Sequence, residues 1–269
     1  MAFEITKELI ENVAILIENR NDKGLSSLFS EMHYADIAEV LEEISFDEAV
    51  YIIKLLDSET TSDILIELHE DVREKIFDQL TAKEIAEEVE ELDSDDAADI
   101  IGELSEERQE AVMSQIEDEE HVKEIEELLT YAENSAGSLM AKELVKVNLN
   151  WTLAECVEEI REQAENVDRV YSVYVVDNKN RLKGIVALKS IILSPATTKV
   201  EAIYNPDIQE VTTYTPGEEV AQMMNKYGLV ALPVVDALGR LMGRITIDDV
   251  VEFIKDEADR DYQLLSGIS

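Results

Sequence analysis

A short stretch in the first half of the sequence concentrates carboxylates at a spacing that could bind a divalent cation. Four aspartates fall within seven residues in Asp93-Ser-Asp-Asp-Ala-Ala-Asp99, and carboxylate oxygens are the ligands that Mg²⁺ and Ca²⁺ prefer. An EF-hand is excluded, because a loop beginning at Asp93 has neither glycine at its sixth position nor glutamate at its twelfth. The stretch also begins a predicted helix, where acids cap N–H groups and complement the helix dipole. This alternative explains Asp93 and Asp95 better than it explains Asp99.

Carboxylates are also dense in the predicted helix that begins near the end of the chain. Its acids are Asp248, Asp249, Glu252, Asp256, Glu257, Asp259 and Asp261. Asp249, Glu252 and Asp256 lie at i, i+3 and i+7 on one face, and Glu257 and Asp261 lie one turn apart. Like charges at these spacings destabilise a helix unless a counter-ion neutralises them. Bound Mg²⁺ would do so, and the alternative is a solvated acidic face.

The overall composition excludes some function classes. The 269 residues include 62 acidic and 23 basic ones, for a formal net charge of −39. Phosphates would be repelled, so we expect neither nucleic-acid binding nor docking on an anionic membrane through a basic patch. Affinity for cations is one interpretation, and a solvated surface or adaptation to high salt is the other.

The remaining chemistry of the sequence is sparse. The single cysteine, Cys156, forms no disulfide within the chain, which suits a reducing cytosol. No apolar run reaches the roughly 18–20 residues of a membrane-spanning helix. The sequence contains no phosphate-cradling glycine loop, nucleophile motif or Cys/His zinc spacing, so we expect a protein that is not an enzyme.

The elements that must position these acids change in character near residue 132. Before it, predicted helices follow one another without a proline; after it come β-branched runs and all four prolines. Residues 36–130 repeat at about twelve residues, each unit an apolar-periodic helix followed by a capping residue and acids. Ser45–Glu48 and Thr81–Glu84 fit the capping box. Short helices cannot bury an apolar stripe alone, so we predict a helical solenoid.

A second repeat lies in the other half of the chain. The segment Tyr174-Val-Val-Asp-Asn-Lys-Asn-Arg-Leu-Lys-Gly184 recurs as Pro233-Val-Val-Asp-Ala-Leu-Gly-Arg-Leu-Met-Gly243, a shift of 59 residues. Each copy is predicted as strand, tight turn, strand and helix, because β-branched runs flank Asp-Asn or Leu-Gly turn residues. An amphipathic helix precedes each copy, and a short strand, predicted over Leu144–Val147 and Ile208–Thr212, precedes each of these helices. Two such units in tandem predict an α/β pair.

This tandem resembles a CBS pair. The typical run of its second repeat is present as Leu232-Pro-Val-Val-Asp-Ala-Leu-Gly-Arg-Leu-Met-Gly-Arg-Ile-Thr-Ile-Asp248. Together with the acidic helical domain, the link Ser135-Ala-Gly-Ser-Leu-Met140 and Leu92-Asp-Ser-Asp-Asp-Ala-Ala-Asp99, it resembles the cytosolic region of MgtE-family magnesium transporters. The resemblance covers essentially the whole chain.

The resemblance implies a multidomain fold: an all-α helical-repeat superhelical domain, an α/β tandem CBS pair and a C-terminal acidic helix. The expected limits are 1–132 for the helical domain, 133–199 and 200–252 for the CBS repeats, and 253–269 for the connecting helix. That helix would lead into a membrane pore domain of the same polypeptide. The present sequence ends where the pore would begin, so we expect a soluble fragment of a multi-pass protein, placed at the cytoplasmic face of the cell membrane and associating as a homodimer.

The resemblance also implies a mechanism. Mg²⁺ would bridge acidic surfaces of the helical domain, the CBS pair and the exit helix, and so favour a compact state in which the pore is closed. Matching by motif assigns this role to Asp95, Asp99 and Asp249, and the contacts from helix to pore to Glu257 and Asp261. Glu252 belongs to the same set of predicted Mg²⁺ ligands.

The sequence departs from the family pattern at two places. Family members can place an acid before the core strand of the second repeat, where it binds Mg²⁺ together with the later helix. Here that stretch reads Asn225-Lys-Tyr-Gly-Leu229 and has no acid, so Glu252 lacks that partner. The position after Tyr214-Thr215 is Pro216, which removes another expected acid.

Two other functions stay open at this stage. Many CBS pairs bind adenosine phosphates, and Asp248 or Asp249 of Thr246-Ile-Asp-Asp could contact the ribose in an adenine-nucleotide-sensing module. Against this, Lys189-Ser190 stands where ligand-binding pairs often carry Arg-Asp, and the acidic surroundings disfavour a phosphate. The other alternative is a helical scaffold for protein partners.

Overall fold

The computed structural model describes residues 5–164, 167 and 169–266, without the side chains of residues 259, 261 and 263–266. The chain divides into two compact units. The first contains Met1–Leu92 and Asp96–Lys123, and the second contains Asp93–Asp95 and Glu124–Ser269. The four predicted segments, with limits at residues 132, 199 and 252, stay predictions.

Helices make up the part of the chain before the first strand. They are α1 (Lys7–Glu18), α2 (Asp22–Phe29), α3 (Tyr34–Glu43), α4 (Phe46–Ile53), α5 (Ser58–Glu67), α6 (Glu70–Phe77), α7 (Ala82–Val89), α8 (Ser94–Glu103), α9 (Glu106–Met113) and α10 (Glu119–Leu128). From α3 to α9, each helix begins twelve residues after the one before it. The predicted twelve-residue helical repeat is therefore confirmed.

Local capping explains where these helices begin. The carboxylate of Glu48 accepts a hydrogen bond from the backbone N–H of Ser45 at 3.0 Å, and that of Glu84 accepts one from Thr81 at 2.7 Å. In return, the Thr81 hydroxyl accepts from the N–H of Glu84 at 3.2 Å. Both predicted capping boxes are confirmed, and each satisfies N–H groups that a helix leaves without an internal partner.

Within the first unit, a helix packs against the helix after next in the chain. Helix α5 contacts both α3 and α7, and α7 also contacts α9. The contacts are apolar: Ile37 and Leu41 on α3, Ile64 on α5 and Ile85 on α7 are at most 2% exposed. Burying one such side chain stabilises the fold by about 1.5–3 kcal/mol. Short helices that are marginal alone are thus stable as a stack.

One acid interrupts this apolar packing. Glu88 on α7 is 8% exposed and accepts a hydrogen bond from the hydroxyl of the fully buried Thr61 on α5, at 2.6 Å. The pKa of Glu88 is raised to about 7, first by burial; the Thr61 hydrogen bond lowers it, and the nearby charges of Glu87, Glu91 and Asp57 contribute to the rise. The carboxyl is therefore held in its neutral form over much of the acidic range.

The second unit carries two similar sheets. Its strands are β1 (Val145–Asn148), β2 (Val173–Val176), β3 (Leu182–Val186), β4 (Val211–Thr212), β5 (Ala231–Val235) and β6 (Leu241–Thr246). Its later helices are α11 (Leu153–Gln163), α12 (Leu188–Leu193), α13 (Gly217–Tyr227) and α14 (Ile247–Ser266), with a 3₁₀ turn at Val200–Ala202. The strand orders are β1-β2-β3 and β4-β5-β6, with a parallel pair followed by an antiparallel pair in each sheet. This confirms the predicted tandem of α/β repeats.

One strand is shorter than the sequence pattern predicts. The pattern predicts a strand over Ile208–Thr212, whereas β4 covers only Val211–Thr212. Just upstream, Asn205 exchanges two backbone hydrogen bonds with Ile185 of the first sheet. Pro206 has no N–H to donate to a strand ladder, so β4 begins only at Val211.

The recurring residues of the two repeats have the same structural task. Asp177 and Asp236 end β2 and β5, and Oδ1 of each accepts hydrogen bonds from the N–H groups two and four residues later, at 2.8–3.1 Å. Asn180 and Gly239, 59 residues apart, take left-handed backbone conformations with φ of 57° and 74°. Leu182 N–H donates to the Gly239 carbonyl and Leu241 N–H to the Asn180 carbonyl, both at 2.9 Å. The two hairpin turns therefore pair symmetrically.

The recurring glycines, Gly184 and Gly243, lie where another backbone segment crosses the hairpin. A Cβ at Gly184 would lie 2.0 Å from the carbonyl oxygen of Asn205, and one at Gly243 would lie 2.5 Å from that of Ala141. Only glycine permits such an approach. Ala141 in turn exchanges two backbone hydrogen bonds with Arg244 of β6, at 2.8 and 2.9 Å. This contact holds the segment before β1 against β6.

Among the described helices, none combines the length and the apolar composition that crossing a membrane requires.

Candidate metal centre

Three carboxylates of the second unit lie close together. Asp93, Asp95 and Glu143 each provide one oxygen, and these oxygens lie within 4.8 Å of one another. We call these three residues the acidic triad. Asp95 is 8% exposed, and Asp93 and Glu143 are half-buried.

Hydrogen bonds around Ser94 determine the geometry of the triad. Ser94, at the start of α8, is fully buried and donates its N–H and its hydroxyl to the two carboxylate oxygens of Glu143, at 3.1 and 2.9 Å. Its Oγ also accepts the N–H of Lys142 at 2.8 Å. The carboxylate of Glu143 therefore caps the N-terminus of α8, where the helix dipole favours negative charge. The backbone pairing of Ala141 with Arg244 anchors the same segment from the other side.

Positive charge beside the triad comes from β6. Nη2 of Arg244 lies 3.5 Å from Oδ2 of Asp93, and Arg244 is only 4% exposed. Lys142, although adjacent in sequence, directs its Nζ to Glu127 at 2.8 Å. The guanidinium of Arg244 thus lies beside one carboxylate of the triad, and like charges as close together as the three carboxylates repel one another strongly where hydration is reduced.

This donor set fits a hard divalent cation. Mg²⁺ takes oxygen ligands in octahedral geometry, commonly from one or two carboxylates, and keeps several waters. The triad supplies carboxylate oxygens from two separate segments, and the half-buried Asp93 and Glu143 leave access for water. The donors contain no sulfur or imidazole, which would favour a softer metal.

The structure places the predicted ligands of the first acidic stretch differently. Asp95 belongs to the triad. Asp99 lies one turn later on α8, in the first unit, and is not a member of the triad. Its assignment as a Mg²⁺ ligand stays a prediction.

Asp249 has a local structural role. Its Oδ2 accepts the N–H of Thr246 at 2.6 Å, and its Oδ1 accepts the Thr246 hydroxyl at 2.8 Å. Because Thr246 directly precedes α14, these bonds cap that helix. Burial raises the pKa of Asp249, while the Thr246 hydrogen bonds lower it. Asp249 lies outside the triad, and its predicted role in Mg²⁺ binding is not tested by this geometry.

The other predicted residues lie along α14. Asp248 and Glu252 are exposed. Glu257 is half-buried, and its Oε1 lies 3.3 Å from both Nδ2 of Asn134 and Nη1 of Arg260. The side chain of Asp261 lies outside the described part of the chain. The roles predicted for these four residues stay predictions.

Sequence reasoning missed Glu143, and it placed Asp93 in the acidic stretch without assigning it as a Mg²⁺ ligand. Glu143 lies forty-nine residues after Ser94, which it contacts. No local spacing connects such distant positions. The available signal was the position of Glu143, directly between the Ser135–Met140 link and the first strand.

Comparison with known proteins identifies families that match the two halves of the chain. Residues 32–134 match the family model of the MgtE intracellular N domain, and residues 136–196 and 200–256 match that of the CBS domain. A magnesium transporter MgtE from Thermus thermophilus is 40% identical over 141 residues, which cover 52% of this chain and 31% of that protein. One from Enterococcus faecalis is 35% identical over the same shares. The matched part thus spans about a third of the length of these curated relatives.

Two solved structures resemble the chain over nearly its whole length. The crystal structure of the cytosolic domain of the Mg²⁺ channel MgtE in complex with ATP has a TM-score of 0.84 and 30% identity, and the match covers 91% of this chain and 99% of that one. The crystal structure of the soluble part of a magnesium transporter has a TM-score of 0.81 and 26% identity, with coverage of 94% and 99%.

Proposed function

This chain belongs to the MgtE family, and from that premise we propose that it is the Mg²⁺-sensing regulatory region of a magnesium transporter. The observation that carries the proposal is the acidic triad, in which Asp93, Asp95 and Glu143 bring three carboxylate oxygens within 4.8 Å. Relatives named as magnesium transporters support the choice of ion.

The triad would sense Mg²⁺ through electrostatic repulsion. Without a divalent ion, the three carboxylates lie within 4.8 Å of one another, and the guanidinium of Arg244 lies beside one of them, Asp93. A bound Mg²⁺ neutralises the remaining charge and stabilises the arrangement in which the three side chains converge. A ligand shifts a conformational equilibrium only by its difference in affinity between the two states. Moving a balance from 1:99 to 99:1 takes about 5.5 kcal/mol, so several sites, each contributing about 1–3 kcal/mol, would act together.

The output would pass through α14. This helix follows β6 without a linker, since β6 ends at Thr246 and α14 begins at Ile247. We propose that α14 leads toward a membrane pore domain of the same polypeptide, and that the Mg²⁺-bound, compact arrangement keeps the pore closed. The proposed setting is the cytoplasmic face of the cell membrane, in a homodimer. The greater length of the curated relatives leaves room for such a pore.

Small-angle scattering tests the sensor. The radius of gyration is measured while MgCl₂ is titrated at constant ionic strength, with NaCl and CaCl₂ series alongside. We expect a smaller radius at millimolar Mg²⁺ in the wild type, and a transition displaced to about tenfold higher Mg²⁺ in Asp95→Asn, because one ligand charge is lost. Asp207→Asn, the same change at an exposed position of the second unit, serves as the control. A radius that is indifferent to Mg²⁺, or that follows ionic strength alone, contradicts the proposal.

A second proposal is that the CBS pair also binds an adenine nucleotide. It is favoured by the similar structure of an MgtE cytosolic domain in complex with ATP, and by the exposed position of Asp248, the predicted ribose contact, at the start of α14. We expect calorimetric titration with ATP to detect binding that Asp248→Asn weakens about tenfold, as the loss of a charge-assisted hydrogen bond implies. Equal affinity in the variant and the wild type would contradict this assignment.

A further inference from the structure

Arg244 is a buried cation of the second unit, and it lies beside Asp93 of the acidic triad. Its Nη2 lies 3.5 Å from Oδ2 of Asp93, and its Nη1 donates to the carbonyl oxygen of Arg169 at 3.0 Å. Its guanidinium carbon lies 5.6 Å from the centre of the Tyr171 ring, within the range of a cation–π contact. Burying an arginine is unfavourable unless carboxylates compensate its charge.

We propose that Arg244 is the resident counter-ion of the acidic triad and that it sets the affinity of the triad for Mg²⁺. The inference rests on the proposed function, because it concerns the same site. In the metal-free protein, Arg244 offsets part of the repulsion among Asp93, Asp95 and Glu143. When Mg²⁺ binds, the two cations repel each other. Arg244 therefore stabilises the metal-free form and weakens Mg²⁺ binding.

The contacts of Arg244 keep its charge in place when an ion arrives. The side chain is fixed by the Arg169 carbonyl and the Tyr171 ring, and its backbone is paired with Ala141. Among the described residues, no acceptor lies within hydrogen-bond distance of its buried Nε. The guanidinium is held by its contacts with Arg169, Tyr171 and Asp93 as a charge of fixed position.

Arg244 also connects the triad with the start of α14. It lies two residues before Thr246, whose N–H and hydroxyl are bound by Asp249. The residue whose guanidinium lies beside Asp93 is therefore two positions from the residue at which the cap of α14 is formed. Arg244 is a positioning residue in this scheme and not a Mg²⁺ ligand.

The test compares Arg244→Gln and Arg244→Lys with the wild-type chain. Calorimetry measures Mg²⁺ affinity. Thermal unfolding is followed in EDTA and in an excess of MgCl₂, at constant ionic strength. We expect Arg244→Gln to bind Mg²⁺ about tenfold more tightly, because a like charge near the ion is removed. It should also unfold at a lower temperature in EDTA and recover most of the loss in Mg²⁺. Arg244→Lys keeps the charge and should keep the wild-type affinity.

The control is Arg240→Gln, which removes the same charge at an exposed turn where Arg240 pairs with Asp236. It should leave both measurements unchanged. An unchanged or weaker Mg²⁺ affinity in Arg244→Gln overturns the inference, as does a variant that stays unfolded even in Mg²⁺, because the ion would then be unable to replace the guanidinium. If the wild type itself shows no Mg²⁺ binding that Asp95→Asn removes, the proposed function fails instead.

Discussion

Replacing Glu143 with glutamine is expected to weaken Mg²⁺ binding to this chain by about 10- to 100-fold. The substitution removes one of the three negative charges of the triad, and each such charge contributes about 1–3 kcal/mol to holding a divalent ion in a partly screened site. The amide oxygen of glutamine can still accept the N–H of Ser94, which Glu143 accepts at 3.1 Å. The cap at the start of α8 is thereby retained while the charge is lost.

The measurement is an isothermal titration with MgCl₂ at constant ionic strength, repeated as the Mg²⁺-dependent shift in unfolding temperature. Glu162→Gln is the matched control, because it makes the same substitution at an exposed position on α11. The control should titrate like the wild type. If Glu143→Gln retains wild-type affinity, Mg²⁺ binds elsewhere in the chain and the triad has only a capping role.

The second large effect concerns Glu88 in the first unit, and it is a dependence of stability on pH. Burial raises the pKa of Glu88 to about 7 from an ordinary value of 4.5. A raised native pKa means that the stabilising contribution is complete below the unfolded pKa and is lost as the pH rises through the native pKa. The helical domain should therefore become less stable between about pH 4.5 and 7 through this group, and keep that deficit at pH 8.

We expect Glu88→Gln to raise the free energy of unfolding at pH 8 by about 3 kcal/mol, because ionising a carboxyl whose pKa is about 7 in the native state and about 4.5 in the unfolded state costs roughly that much. Glutamine is neutral at every pH and can still accept the hydroxyl of Thr61, which Glu88 accepts at 2.6 Å. At pH 4.5 or below, the variant and the wild type should differ little, because Glu88 is then protonated in both the native and the unfolded state.

Urea denaturation at several pH values separates this effect from others. Far-UV circular dichroism follows mainly the helices of the first unit, while the fluorescence of Trp151, the only tryptophan in the sequence, reports the second unit. The gain should appear in the dichroism and grow with pH. Glu39→Gln, at an exposed position on α3, should show no such gain. If the gain in the free energy of unfolding does not change with pH, the ionisation of Glu88 does not differ between the native and unfolded states, and the raised pKa is contradicted.

Much of the fold could be predicted because its signals are local. The Thr81–Glu84 capping box and the Asp177 turn each depend on residues at most four apart, so their geometry follows from short-range hydrogen bonding. The repeat of 59 residues made the second sheet predictable from the first. The short β4 was not predictable in the same way, because it depends on Asn205 pairing with Ile185 of the other repeat.

In the candidate site, too, the local features could be predicted and the contacts between distant residues could not. The sequence by itself determined that carboxylates crowd the start of α8 and the length of α14, and that the chain consists of a helical repeat followed by a tandem of α/β repeats. Those properties follow from composition, periodicity and capping, which act within a few residues. Only the tertiary structure decided which acids meet: it brought Glu143 to Asp93 and Asp95, placed Arg244 beside them, and engaged Asp249 at the cap of α14. Carboxylates converge in this way only where the packing of distant segments outweighs their repulsion. The spacing of residues along the chain does not determine which distant segments pack together.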